Sequence, residues 1–156
     1  MAIAATQRFF EDYAVGMSDE FGAYEITERE IIEFARRYDP QPFHVDARAA
    51  GESIYGGLIA SGWMTASIMM RLLVDHYVSR TASMGSPGLD ELRWLRPVRA
   101  GDVLGVRVTV TAAKRSVSKP DRGVVWTSNE VIERRGGIVM TCKAMGMYRC
   151  RSLPQV

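Results

Sequence analysis

The sequence predicts one α+β domain in which a long antiparallel sheet wraps around a single buried helix. Three observations lead there. Gly62 to about Val78 is apolar nearly all round, which marks a helix buried in a core rather than laid on a surface. Downstream, Leu104, Val106, Val108 and Val110 alternate with Gly105, Arg107 and Thr109, the period-2 pattern of a half-buried strand. The length, 156 residues, suits one domain, taken here as residues 1–156.

The elements follow in order. A short strand is expected around Glu20–Ile26. Thr27–Tyr38, "TEREIIEFARRY", is an amphipathic helix. Thr27 and Glu30 form a capping box at its start, and Ile31, Phe34, Ala35 and Tyr38 fall on one face. Pro40 ends it, because the residue before a proline is pushed out of the helical region. A stiff loop then leads to the second helix, Gly62–Val78. Small residues at 60, 61, 62, 66 and 67 let its first half sit close against a sheet. Strands are expected at Leu89–Leu95, Leu104–Thr111, Val124–Glu133 and Ile138–Tyr148, with "ERRGG" (Glu133–Gly137) as the tight hairpin between the last two. Such a sheet leaves an open edge and a helix only half covered. Pairing with a second copy cures both, so a homodimer or a dimer-based higher oligomer is expected.

Composition narrows the function. Hydrophobic residues make up 47% and charged residues 24%, enough for a packed core. The net charge of +2 is too small to argue for nucleic acid but suits an anionic small molecule. "MAIAATQRFFEDY" lacks the basic region and apolar run of a secretory signal. The uncharged run Ile54–Met70 is broken by glycine, serine and threonine, so it reads as core and not as a membrane span. A cytoplasmic chain with Cys142 and Cys150 as reduced thiols is the expectation. No His or Cys has ligand spacing, so no metal is expected.

Two stretches carry chemistry. "YDPQPFHVDARAA" (Tyr38–Ala50) holds Asp39 and His44. Pro40 and Pro42 restrict its backbone, so side chains aimed inward stay aimed. A carboxylate beside an imidazole can do general acid and base work near neutral pH. The alternative is plain loop capping with a surface histidine. His76 reads as structural, or as a cation at a helix C-terminus. "GGLIASGW" (Gly56–Trp63) runs into the second helix. The Gly62 amide there has no helical partner and lies at the positive end of the dipole, so it can bind an oxygen that gains negative charge. Close packing of the glycine against the sheet is the alternative. "ASGW" lacks a G-x-S-x-G elbow, which counts against an acyl-enzyme hydrolase.

Together these residues resemble the MaoC-like dehydratases, which include the (R)-specific enoyl-CoA hydratases of the hot-dog fold. The family's loop reads roughly G-D-x-N-P-x-H-x-D, and Asp39, Pro42, His44 and Asp46 match it. "ELRWLRPVRAGD" (Glu91–Asp102) is similar to the family's strand and turn after the central helix. The resemblance implies an acyl-CoA thioester as substrate and no cofactor beyond the coenzyme A that the substrate carries. It implies that Asp39 and His44 activate water while the Gly62 amide steadies the thioester oxygen. It also places Leu58, Ser61, Trp63 and Met64 against the substrate, although core packing accounts for Leu58, Trp63 and Met64 equally well. Lys114–Arg122, Arg80 and Arg99 are candidates for the coenzyme A phosphates, or simply solvated cations. Three positions depart from the pattern. Gln41 replaces the asparagine, Ser61 replaces a histidine, and Met70 stands where some family hydratases have a serine. Two other functions compete. A hot-dog thioesterase commonly keeps an acid on the central helix, and here the first one is Asp75. A non-catalytic acyl-binding subunit is the other.

Overall fold

The structure is a computed structural model that describes residues 3–152. Nine elements follow two short 3-10 turns: β1 (Ser18–Glu25), α1 (Glu28–Tyr38), α2 (Pro42–Val45), α3 (Ala47–Glu52), α4 (Gly62–His76), β2 (Gly88–Trp94), β3 (Val103–Arg115), β4 (Arg122–Glu133) and β5 (Gly137–Arg149). The five strands form one antiparallel sheet in the order β1-β3-β4-β5-β2. α4 lies against its inner face, where Met69, Leu72 and Leu73 pack with Val106, Val108, Val125 and Met140. This is the α+β, hot-dog arrangement.

The capping box forms as expected. Thr27 Oγ1 accepts from the Glu30 amide at 3.2 Å, and Glu30 Oε2 accepts from the Thr27 amide at 3.0 Å. β1 carries a bulge between Phe21 and Tyr24. Gly22 sits there at φ +85, and a Cβ on it would meet Leu72 Cδ2 of α4 at 2.8 Å. The bulge therefore lets the sheet edge curl onto the helix, and a glycine is what fits.

Several expectations need correcting. Residues 40–52 are not one loop. Pro42 takes the first position of a one-turn helix that carries His44, where its missing amide costs nothing. Asp46 then caps α3 by accepting from the Arg48 and Ala49 amides. Tyr38 is 62% exposed despite its phase. β3 runs on to Arg115, past the predicted Thr111, because a bulge between Val110 and Ala112 interrupts the alternation that the sequence shows. As expected, α4 is only half covered. Met64, Thr65, Ile68, Met69, Leu72 and Leu73 are buried, whereas Trp63, Met70 and Val74 are 58%, 48% and 47% exposed. One sheet covers one side of a helix, and the outer apolar stripe remains open.

β2 is an edge strand, with Leu89 and Trp94 exposed and a bulge between Asp90 and Arg93. Glu91 adopts the left-handed region there, at φ +51.

Candidate active site

Pro40 shapes the first half of the site. It forces Asp39 out of the helical region, to φ −153 and ψ 67, just past the end of α1. The Asp39 amide still donates to Ala35 O at 2.8 Å, and the Gln41 amide donates to Asp39 O at 2.8 Å. The chain thus reverses tightly into α2, which turns His44 back toward Asp39. His44 Nε2 lies 3.3 Å from Asp39 Oδ2. His44 is only 4% exposed.

The imidazole is held from both sides. Its Nδ1 lies 2.7 Å from Ile59 O. A carbonyl only accepts, so the proton sits on Nδ1 and Nε2 is the nitrogen that faces Asp39. The carboxylate is held as firmly. Ser61 Oγ donates to Asp39 Oδ2 at 2.7 Å, and Gln41 Nε2 donates to Asp39 Oδ1 at 2.7 Å. Burial, the largest single influence on Asp39, pushes its pKa up. The Ser61 and Gln41 hydrogen bonds and the His44 charge outweigh it and hold the carboxyl below its ordinary value.

The second half is the segment 59–62. The Ile59 amide donates to Phe43 O at 3.3 Å and the Ala60 amide to Val98 O at 2.8 Å. Arg99 clamps the approach, donating to Tyr55 O at 2.6 Å and Leu58 O at 3.4 Å. Ser61 is the N-cap of α4 and is fully buried; its Oγ accepts from the Trp63 amide at 3.3 Å while donating to Asp39. One hydroxyl therefore joins the carboxylate to the helix start. Gly62 is the first helical residue, so its amide has no intrahelical partner.

Trp94 closes the site. Its Nε1 donates to Gly62 O at 2.9 Å, and its ring occupies the place of a Gly62 Cβ, which would lie 2.4 Å from Cε2. Trp63 meets it edge-on, with ring centroids 5.2 Å apart. Asp39, His44, Gly62, Trp63 and Trp94 all border one cavity of about 460 Å³. Asp39 is the one carboxylate in that lining among the described residues. Asp75 lies far along α4 and pairs with Arg71 at 2.8 Å.

The structure thus brings Asp39, His44, Gly62 and Trp63 together. It separates the other three expected contacts. Ser61 sits behind Asp39 with its hydroxyl engaged. Met64 is 5% exposed in the core and turned away from Trp63, because successive helical residues diverge by about 100°. Leu58 packs on the core cluster outside this cavity. Arg99 is spent on the loop, Arg115 on Glu11 and Arg122 on Asp121, which leaves exposed Arg80, Lys114 and Lys119 of the expected phosphate cations. Trp94 is the residue that sequence reasoning missed. It lies within the stretch similar to the family's strand and turn, but no local pattern says that it covers Gly62.

The chain is similar to several known proteins. The family model described as "MaoC like domain" matches residues 12–134. Protein MaoC of Klebsiella aerogenes is 32% identical over 123 residues, which is 77% of this chain but 36% of that protein, so the chain spans about a third of it. The 3-hydroxyacyl-thioester dehydratase Z of Mycobacterium tuberculosis is 30% identical over 80% of this chain and 82% of its own length. Among solved structures, a MaoC-like dehydratase from Rhodospirillum rubrum superposes with a TM-score of 0.86 at 41% identity, covering 94% of this chain and 99% of that one.

Proposed function

The chain belongs to the MaoC-like domain family, which includes hydratases and dehydratases, and from that premise we propose that it adds water across a trans-2-enoyl-CoA or removes water from a 3-hydroxyacyl-CoA. The observation that carries this reading is the meeting of Asp39 Oδ2, His44 Nε2 and the Gly62 residue around one cavity. The substrate brings its own coenzyme A, and no other cofactor enters.

In the hydration direction a water sits against Asp39 and His44 Nε2. Its oxygen bonds to C3, the C2–C3 π electrons move toward the thioester carbonyl, and charge builds on that oxygen. The Gly62 amide donates to the oxygen as the charge grows. The water's proton passes to the Asp39–His44 pair and from the pair to C2, which restores the carbonyl. Dehydration reverses each step. Ser61 and Gln41 keep the carboxylate ionised and oriented, so little reorganisation accompanies the proton transfer. The absence of any other acid in the described lining favours addition of water over a thioesterase chemistry run from the central helix.

Homodimerisation belongs to the same reading. The open stripe of Trp63, Met70 and Val74 on α4 and the exposed Leu89, Trp94 and Leu95 at edge strand β2 form an apolar surface of the kind a second copy covers.

The test is a panel of enoyl-CoAs and saturated acyl-CoAs. Loss of the conjugated-thioester absorbance without release of free thiol is expected. Free thiol released from saturated substrates would replace this reading with a thioesterase.

A further inference from the structure

A second cavity, of about 530 Å³, lies between α4 and the inner faces of β3, β4 and β5. Trp63 borders both this cavity and the one around Asp39. Its wall follows α4 from Trp63 through Met70 and Leu73 to Tyr77, a run of about 21 Å at 1.5 Å per residue. Most of that wall is apolar, as a hydrocarbon tail requires. Buried polar side chains interrupt it, Thr127 and Tyr148 among them, and two more carry an unpaired atom. Asn129 is 2% exposed and Tyr77 is 3% exposed, and neither the Asn129 side-chain oxygen nor the Tyr77 hydroxyl has a hydrogen-bond partner within the described protein.

The position of Asn129 is informative. On β4 it takes an inward place in the alternating row Val125, Thr127, Asn129, Val131. Its register partner is Cys142, whose Sγ lies 3.9 Å from Met69 Sδ on α4. Asn129 is therefore level with Met69, about 9 Å along the helix from Trp63. Tyr77 stands at the far end. A leucine of similar shape at 129 would leave no unpaired acceptor level with Met69. The amide leaves an acceptor that an all-carbon chain cannot pair and a hydroxylated chain can.

On the acyl-thioester reading the distal part of the acyl chain enters this cavity, and we propose that Asn129 selects acyl thioesters carrying a hydroxyl there. The substrate class is then an oxygenated, medium-length acyl thioester. Tyr77 is the second polar determinant, reached only by longer chains. This assignment rests on the acyl-thioester reading above.

Binding tests it without catalysis. Matched saturated acyl-CoAs, plain and ω-hydroxylated, are titrated over a range of medium chain lengths and followed by tryptophan fluorescence in a Trp126→Phe background, which reads Trp63 and Trp94. Saturated chains have no double bond to hydrate, so affinity is read alone. At the best-fitting length the wild type should favour the hydroxylated member by about tenfold, the size of one satisfied hydrogen bond. Asn129→Leu should abolish that preference without lowering the melting temperature, since it removes an unpaired buried polar group. Tyr77→Phe should reduce the preference only for the longest chains. Equal or tighter binding of plain chains by the wild type would overturn the proposal and leave the Asp39–His44 chemistry untouched. So would a preference that survives in Asn129→Leu. Preference intact with no enoyl-CoA turnover would instead fault the chemistry and leave the cavity's assignment standing. Failure of either member of every pair to bind would overturn the assignment together with the acyl-thioester reading.

Discussion

Gly62→Ala separates the two roles that the sequence leaves open for this glycine. The substitution keeps the backbone N–H, so it does not remove the oxyanion donor. It does add a Cβ at 2.4 Å from Trp94 Cε2 and 2.6 Å from Nε1, closer than any carbon tolerates. The indole must leave. Trp94 is 44% exposed, so it can swing outward, and the cost is limited to what it abandons. That is one hydrogen bond to Gly62 O, about 1 kcal/mol net, and an edge contact with Trp63, about 0.5–1.5 kcal/mol. The total, about 2 kcal/mol, corresponds to a fall in melting temperature of about 4–8 °C for a chain of this size. Activity should fall too, because the displaced indole lies at the cavity mouth. The assay is a double-mutant cycle with Trp94→Ala, read by thermal and denaturant unfolding and by turnover. In the Trp94→Ala background the added methyl meets no ring, so the destabilisation by Gly62→Ala should shrink by about 1–2 kcal/mol. If alanine at 62 costs as much without the indole as with it, the steric account of this glycine is wrong.

Four further predictions rest on the same geometry. Asp39→Asn and His44→Ala should each lower turnover by at least about a hundredfold with the fold retained; near-normal rates in both would sink the proposed chemistry. Ser61→Ala removes a donor that helps hold Asp39 ionised, so the Asp39 pKa should rise and the acid limb of the pH–rate profile should move to higher pH. The depressed carboxyl also links folding to pH. Its contribution is fully present above the unfolded carboxylate pKa and is lost as pH falls through the lower folded value, so the stability gap between wild type and Asp39→Asn should close in acid; a gap constant with pH contradicts the linkage. Val74→Glu, on the open stripe of α4, should dissociate the proposed homodimer, as light scattering or analytical ultracentrifugation would show.

Much of the fold is legible locally. Thr27 and Glu30 start a helix by reciprocal hydrogen bonds three residues apart, and Pro40 ends it by a clash with its neighbour. The alternation along β3 shows a strand with one buried face. The residues Asp39 and His44 could be paired from spacing and resemblance because both lie within one short, proline-restricted segment. Other features escaped for definite reasons. The bulge past Val110 erases alternation, so the end of β3 could not be read. Which face of α4 stays open could not be read, because apolar composition reports what a helix prefers and not which side the sheet covers. The resemblance placed Leu58 and Met64 beside the substrate, but Met64 turns into the core on α4 and Leu58, ahead of the helix, packs on the same core cluster.

Gln41 and Ser61 show the division most clearly. In the sequence they are departures from a family pattern, one methylene too long and a hydroxyl in place of an imidazole. In the structure both donate to Asp39 at 2.7 Å, one to each carboxylate oxygen. The sequence by itself determined the ends of α1, the strand faces and the presence of an acid and an imidazole on one restrained segment, since each depends on neighbours a few residues away. Only the tertiary structure decided what holds that acid and what covers Gly62. Ser61 lies 22 residues from Asp39, and Trp94 lies 32 residues from Gly62. Contacts over such separations depend on how the sheet packs on α4, and no local pattern encodes them.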